Sequence, residues 1–191
     1  ESKSINNILF EAKGYHIKGL CCYTLFRYPE ASKNLEKAKE IYENTIIVFA
    51  GDNGLALGQH GLMGKQSVYE HSIKTPLIIS GGGLKKGKVN KDFTYTFDIY
   101  PTICQLTGTE IPATVQGQSL FGKNFKKRET MFYGYRNVQR ALRKGDFKLI
   151  EYTVKSKITL QLFNLKKDPW EMNNLAENAK SQSKLKELQA L

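Results

Sequence analysis

Residues 49–70 read Phe-Ala-Gly-Asp-Asn-Gly-Leu-Ala-Leu-Gly-Gln-His-Gly-Leu-Met-Gly-Lys-Gln-Ser-Val-Tyr-Glu, and four side chains in that run have chemistry to offer. Asp52 and Asn53 bring a carboxylate and an amide oxygen. These are hard donors, suited to Ca²⁺ or Mg²⁺ rather than to zinc. The same pair is equally compatible with an Asx turn, in which the side chain bonds its own backbone. His60 and Lys65 follow in a loop with Gly58, Gly61 and Gly64 at every third position. An ammonium beside a metal-held anion offsets charge that builds on its oxygens. An imidazole titrates near neutrality and can protonate a leaving group. Each also has an ordinary reading, Lys65 as a solvated lysine and His60 as a hydrogen-bonded loop histidine.

Such a cluster needs a scaffold, and the flanking sequence supplies one. Residues 45–50 are β-branched and apolar throughout, the pattern of a strand buried on both faces of a parallel sheet. Asp52 and Asn53 therefore leave its carboxyl end, where open α/β sheets place their ligands. A helix is expected over residues 31–42, with Leu35, Ala38, Ile41 and Tyr42 at helical spacing and Ser32 as its cap. A second buried strand is expected over 76–80, closed by three glycines. A helix over 98–106 follows, with Asp98 at its start and Pro101 in its first turn. From about residue 131 the pattern changes to short strands at 131–136, 139–143, 147–152 and 160–164. An amphipathic helix at 181–191 then presents Leu185, Leu188 and Leu191. Three regions result: residues 1–42, ending in a helix; 43–125, with α/β logic; and 126–191, a small antiparallel sheet plus helix.

Composition narrows the function classes. The chain has 191 residues, 40% hydrophobic and 25% charged, which excludes a disordered or collagen-like protein. Three cysteines, two of them the adjacent Cys21 and Cys22, do not make a disulfide framework or a zinc knuckle. They are expected to be small buried apolar groups, Cys104 included. No run approaches the ~18 apolar residues of a membrane span. The net charge is +11, and residues 121–170 carry 13 basic against 4 acidic side chains. A basic face attracts sulfate, phosphate or nucleic acid, or simply keeps a protein soluble. No nucleic-acid-binding motif accompanies it, and Phe132, Tyr133 and Tyr135 sit in a strand pattern that suits a core.

Several spaced motifs taken together resemble the sulfatase family of the alkaline phosphatase superfamily. They are Thr-Ile-Ile-Val-Phe-Ala-Gly-Asp-Asn-Gly from Thr45, Gly-Gln-His-Gly-Leu-Met-Gly-Lys from Gly58, and Val-Tyr-Glu-His-Ser-Ile-Lys-Thr-Pro-Leu-Ile-Ile from Val68. Asp-Ile-Tyr-Pro-Thr-Ile from Asp98 and Leu-Phe-Asn-Leu-Lys-Lys-Asp-Pro-Trp-Glu-Met-Asn-Asn-Leu-Ala from Leu162 complete the series. The resemblance covers about residues 43–191. It implies an α/β fold, the second half of an alkaline-phosphatase-like sandwich with a small C-terminal antiparallel sheet and helix. It also implies a sulfuric ester hydrolase acting on sulfated carbohydrates or small sulfate esters. In that family Asp52 and Asn53 match ligands of a divalent cation, usually Ca²⁺, and Lys65 matches a lysine that binds the sulfate. His60 borders the pocket and is a candidate catalytic and substrate-binding residue. His71 is expected to be structural or to line the cleft. Arg140, Arg143 and Lys148 are expected either to form a solvated basic face or to contact an anionic substrate.

The same resemblance defines what is not in this sequence. Sulfatases use a formylglycine made from Cys or Ser in a Cys/Ser-x-Pro/Ala-x-Arg motif, and neither version occurs here. The chain starts at Glu1, and residues 1–30 do not match the family. The expectation is a C-terminal portion, inactive and weak in metal binding alone, that self-associates or depends on a missing N-terminal half. Family analogy places such a protein in the periplasm or outside the cell. Two other functions compete: a phosphoryl or phosphonate hydrolase of the same superfamily, and a non-enzymatic remnant that binds anions or glycans.

Overall fold

The computed structural model describes Tyr15, Lys18, residues 28–85 and residues 87–191. Cys21 and Cys22 and the unmatched residues 1–14 lie outside this set, and Cys104 is buried. The described chain divides into two compact units. One holds Phe49 and the described residues before it together with Leu77–Val89, and the other holds Ala50–Pro76 with Asn90–Leu191.

In the first unit, helix α1 spans Tyr28–Glu43 and strand β1 spans Ile46–Ala50. The helix buries Ala31, Asn34 and Ala38, spaced three and four apart on one face. It begins earlier than the sequence pattern suggests, so Ser32 lies inside it. The Ser32 hydroxyl bonds Glu36 one turn on instead of capping the helix. β1 pairs with β4 (Leu77–Gly81) in a two-stranded sheet. The expectation of strands buried on both faces is not met. Phe49 and Ile78 are each 59% exposed, because no further strand flanks the pair among the described residues.

The second unit carries the rest. A short ribbon, β2 (Ala56–Leu57) with β3 (Met63–Gly64), encloses a 3₁₀ turn at Gln59–Gly61. One helical turn, α2, covers Glu70–Ile73. Helix α3 runs over Ile99–Leu106, preceded by a 3₁₀ turn at Thr96–Asp98. Asp98 is fully buried there. It accepts both Arg128 guanidinium nitrogens at 2.6 and 2.8 Å, and the backbone N–H groups of Tyr95 and Gln118 as well.

Four antiparallel strands follow in sequential order: β5 (Thr130–Tyr135), β6 (Gln139–Lys144), β7 (Phe147–Val154) and β8 (Lys157–Asn164). The register pairs Leu142 with Leu149 and Leu149 with Leu162 on one face. Leu185 and Leu188 of helix α4 (Gln182–Gln189) close that face. Leu191 falls beyond the helix and is exposed, so the apolar stripe is one residue shorter than expected. On the opposite face Ala141, Ile150 and Phe163 pack against Val68 and Tyr69. Tyr133 and Tyr135 join that cluster, but Phe132 alternates outward and is exposed. A sheet covered on both sides is the firm base on which the loop bearing His60 and Lys65 is mounted.

Candidate functional site

Asp52 and Asn53 occupy the turn after β1, and two backbone bonds pin that turn. Gly51 N–H donates to the Pro76 carbonyl at 3.2 Å, and Gly54 N–H donates to the Ser72 carbonyl at 2.8 Å. Gly54 has to be glycine, since a Cβ there would run into the His71 carbonyl. Asp52 is exposed, and its Oδ1 accepts the Asn53 N–H at 2.8 Å, the local bond that the turn reading anticipates. No hydrogen bond or ion pair joins Lys65 to either residue. Lys65 is an exposed cation without a charged partner among the described residues.

His60 and His71 come together. Their ring centroids lie 5.7 Å apart, and Tyr69 completes a triangle, stacking on His60 at 4.0 Å and 3° and lying 5.7 Å from His71. His60 sits at φ +54°, a left-handed backbone position that a non-glycine residue adopts only under constraint. The constraint is visible: its Nε2 lies 3.0 Å from the Trp170 carbonyl, 110 residues away in sequence. A carbonyl can only accept, so Nε2 carries the proton. His71 Nε2 lies 3.3 Å from Ser67 Oγ, whose own proton goes to Ser72 Oγ at 2.8 Å. His71 therefore also donates through Nε2. Its pKa is lowered, first by burial and then by His60 and Lys148 nearby. The two imidazoles stand on a cleft of about 340 Å³ whose other wall is residues 169–172.

Behind that cleft lies a charge network that the sequence reading did not assemble. Lys148 is completely buried, with Nζ 3.2 Å from Glu70 Oε1 and 2.7 Å from Glu171 Oε1. Arg143 NH1 reaches Glu70 Oε2 at 3.1 Å. Glu171 Oε2 also accepts the Glu70 backbone N–H at 2.7 Å, at the start of α2. Burial raises the Glu171 pKa, with Lys148 opposing the rise. Lys148 and Arg143 are thus neither a solvated face nor free to meet a substrate. Arg140 turns to its own backbone, bonding the carbonyls of Arg136 and Gln139. A signal for the network was present. Arg143 and Lys148 face each other across β6 and β7, and like charges so placed demand a shared anion.

The basic segment 121–170 is compensated in part. Lys127, Arg128, Arg143, Lys144 and Lys148 pair with Asp92, Asp98, Glu70, Glu187 and Glu171, all outside that segment. Its charge excess in sequence overstates the field in space.

Residues 58–191 match the family model for N-sulphoglucosamine sulphohydrolase, C-terminal. The chain belongs to the sulfatase family. Among sulfatase relatives, an N-acetylglucosamine-6-O-sulfatase of Bacteroides thetaiotaomicron is 35% identical over 173 residues, covering 82% of this chain and 31% of the relative. Human arylsulfatase K is 30% identical over 154 residues, covering 72% of this chain and 28% of its own length. Among solved structures, BT4656 in complex with its substrate D-glucosamine-2-N,6-O-disulfate superposes with a TM-score of 0.70 at 30% identity, over 87% of this chain and 37% of that one. A phosphonate monoester hydrolase from Silicibacter pomeroyi gives 0.66 at 26% identity, over 85% and 37%. The chain spans about a third of the length of the curated relatives it matches. The small antiparallel sheet and its helices are the C-terminal subdomain of this alkaline-phosphatase-like fold.

The family suggests a metal, and the donor set bears on it. Asp52 and Asn53 are oxygen donors of the right hardness, but they are two where such cations take about six or more. Among the described residues no group of three His, Cys, Asp or Glu side chains is placed to hold a metal. The residues fit a hard cation in kind and supply part of its shell.

Proposed function

We propose that this chain forms the C-terminal part of a sulfatase that hydrolyses sulfate esters of a sulfated carbohydrate. The observation that carries the reading is the 35% identity to an N-acetylglucosamine-6-O-sulfatase over 82% of this chain. The site is compatible with it. Asp52 and Asn53 would offer their oxygens to Ca²⁺, whose role when bound is to draw charge from the sulfate oxygens. Lys65, exposed and without a charged partner among the described residues, would meet a sulfate oxygen directly. We place His60, held through its Nε2 proton by the Trp170 carbonyl, beside the substrate as a binding residue whose Nδ1 accepts from it. The formylglycine nucleophile and the remaining metal ligands would come from residues outside this sequence, and we propose that catalysis depends on them. By family analogy we place the protein in the periplasm or outside the cell.

The test is turnover by the complete enzyme that contains these residues, supplied with Ca²⁺ and offered p-nitrophenyl sulfate, glucosamine 6-sulfate and phenyl phosphonate esters. Sulfate ester hydrolysis is expected to dominate, and Lys65→Ala is expected to lower kcat/KM by about 10²–10³-fold, the scale of losing one charge-stabilising donor. A second reading is favoured by one observation, the TM-score of 0.66 to a phosphonate monoester hydrolase. Faster turnover of the phosphonate ester would establish that reading and remove the first.

A further inference from the structure

Trp170 is the only tryptophan in the chain, and it is 67% exposed although its neighbour Glu171 is 2% exposed. Glu171 has φ +58° and His60 has φ +54°, so a strained residue stands on each wall of the cleft. The network of Lys148, Glu70 and Glu171 over-determines one wall, and the His60–Trp170 bond ties the two together. Strain held by so many bonds is characteristic of a site. The consequence is an indole presented outward beside two imidazoles. Both imidazoles use Nε2 as donor within the protein, and both keep Nδ1 as an acceptor with no partner among the described residues.

The charge of the cleft decides what can enter it. The cation behind it, Lys148, is already shared by two carboxylates. The Glu171 side chain turns inward to Lys148 and the Glu70 N–H, and burial of His71 favours the uncharged ring. An anion finds no unpaired cation there, while a neutral group with hydroxyl donors and a flat apolar face finds complementary partners for both. The volume suits one small ring.

We propose that this cleft is a saccharide subsite, in which an uncharged pyranose ring packs its C–H face on Trp170 and donates hydroxyl hydrogen bonds to Nδ1 of His60 and His71. This inference rests on the carbohydrate substrate proposed above, and it assigns the sugar ring, not its sulfate, to residues 60, 71 and 170.

A single tryptophan gives a single indole N–H resonance, so the site can be watched directly. N-acetylglucosamine, titrated into the chain, is expected to move that resonance saturably with an affinity on the order of 1 mM, the range of a small neutral ligand. Inorganic sulfate is expected to leave it in place. Trp170→Ala, tolerable because the side chain is exposed, is expected to weaken the sugar about 3- to 10-fold by saturation-transfer NMR, the scale of one aromatic contact. In the complete enzyme the same change should raise KM for the saccharide sulfate by that factor and leave a small aryl sulfate unaffected. An indole unmoved by the sugar, an equal response to sulfate, or equal KM effects on both substrates would overturn the subsite. Sulfate ester turnover without sugar binding here sinks the subsite and leaves the sulfatase reading standing. Sugar binding in an enzyme that prefers phosphonate esters does the reverse.

Discussion

The β1–β4 pair and the four-stranded sheet invert each other's burial. In the sheet unit an ammonium, Lys148, is fully buried, and Asp98 is as well. In the strand pair, Phe49 and Ile78, which are apolar and β-prone, are mostly exposed. Side-chain type alone would assign each the other place. The difference lies in what covers the residue. Lys148 is enclosed because Glu70 and Glu171 arrive from remote parts of the chain to neutralise it, while the strand pair has no covering layer among the described residues. At these four positions partners, not hydropathy, decide burial.

The largest test of that contrast is Lys148→Ala. It would leave the Glu171 carboxylate buried with no cation beside it, while Glu70 keeps Arg143, and breaking one partner out of a buried ion network costs about 3–5 kcal/mol. Urea denaturation of the variant should show a loss of that size. Adding Glu171→Gln should restore part of it, because the carboxylate left without a cation is then gone. A loss near zero would mean that Lys148 is not the keystone of the sheet unit.

How much of this was legible in the sequence follows the same division. Element types came from local periodicity: the strands near 130–164, the closing helix with Leu185 and Leu188, and the helix after Asp98 all form where the pattern puts them. The ends moved by a few residues, as when α1 took in Ser32. The Asp52–Asn53 turn and the His60 loop were legible as a candidate site because their residue types stand close in sequence. The Glu70–Lys148–Glu171 network was not, because its members are separated by 78 and 23 positions and no local pattern links them. The sequence assigns Trp170 no role of its own, since exposure is a property of the fold. The buried-strand reading of residues 45–50 failed for a related reason. Composition reports the environment a strand is suited to, and the described residues do not supply it.

A smaller effect should appear in the pH dependence of stability, where the cleft's two shifted groups pull in opposite directions. His71 titrates below its ordinary 6.5 in the fold, so between that lowered value and 6.5 the unfolded chain binds more protons. Its contribution to stability is therefore lost as pH falls through this interval. Glu171 titrates above its ordinary 4.5, so the folded chain binds more protons between 4.5 and the raised value. Its contribution is lost as pH rises through that interval. Denaturation midpoints measured across pH 4–7 should lose the His71 limb in His71→Gln and the Glu171 limb in Glu171→Gln. If neither variant changes the profile, the cleft is as wet as the outer surface and the buried character of this unit is overstated.

The smallest effect belongs to the other region. Phe49→Ser removes a large apolar side chain from a strand, a change that costs several kcal/mol in a packed core. Here the ring is 59% exposed, so the loss of contacts is small and the stability of this chain should shift by no more than about 0.5 kcal/mol. Solubility should rise, because an exposed apolar strand surface with unpaired edges promotes association. Light scattering at matched concentration would show it. A large stability loss would mean that Phe49 is covered after all and that the two regions are built alike. Unchanged stability with reduced association would show that the strand pair is an apolar surface prepared for a covering layer that the described residues do not contain.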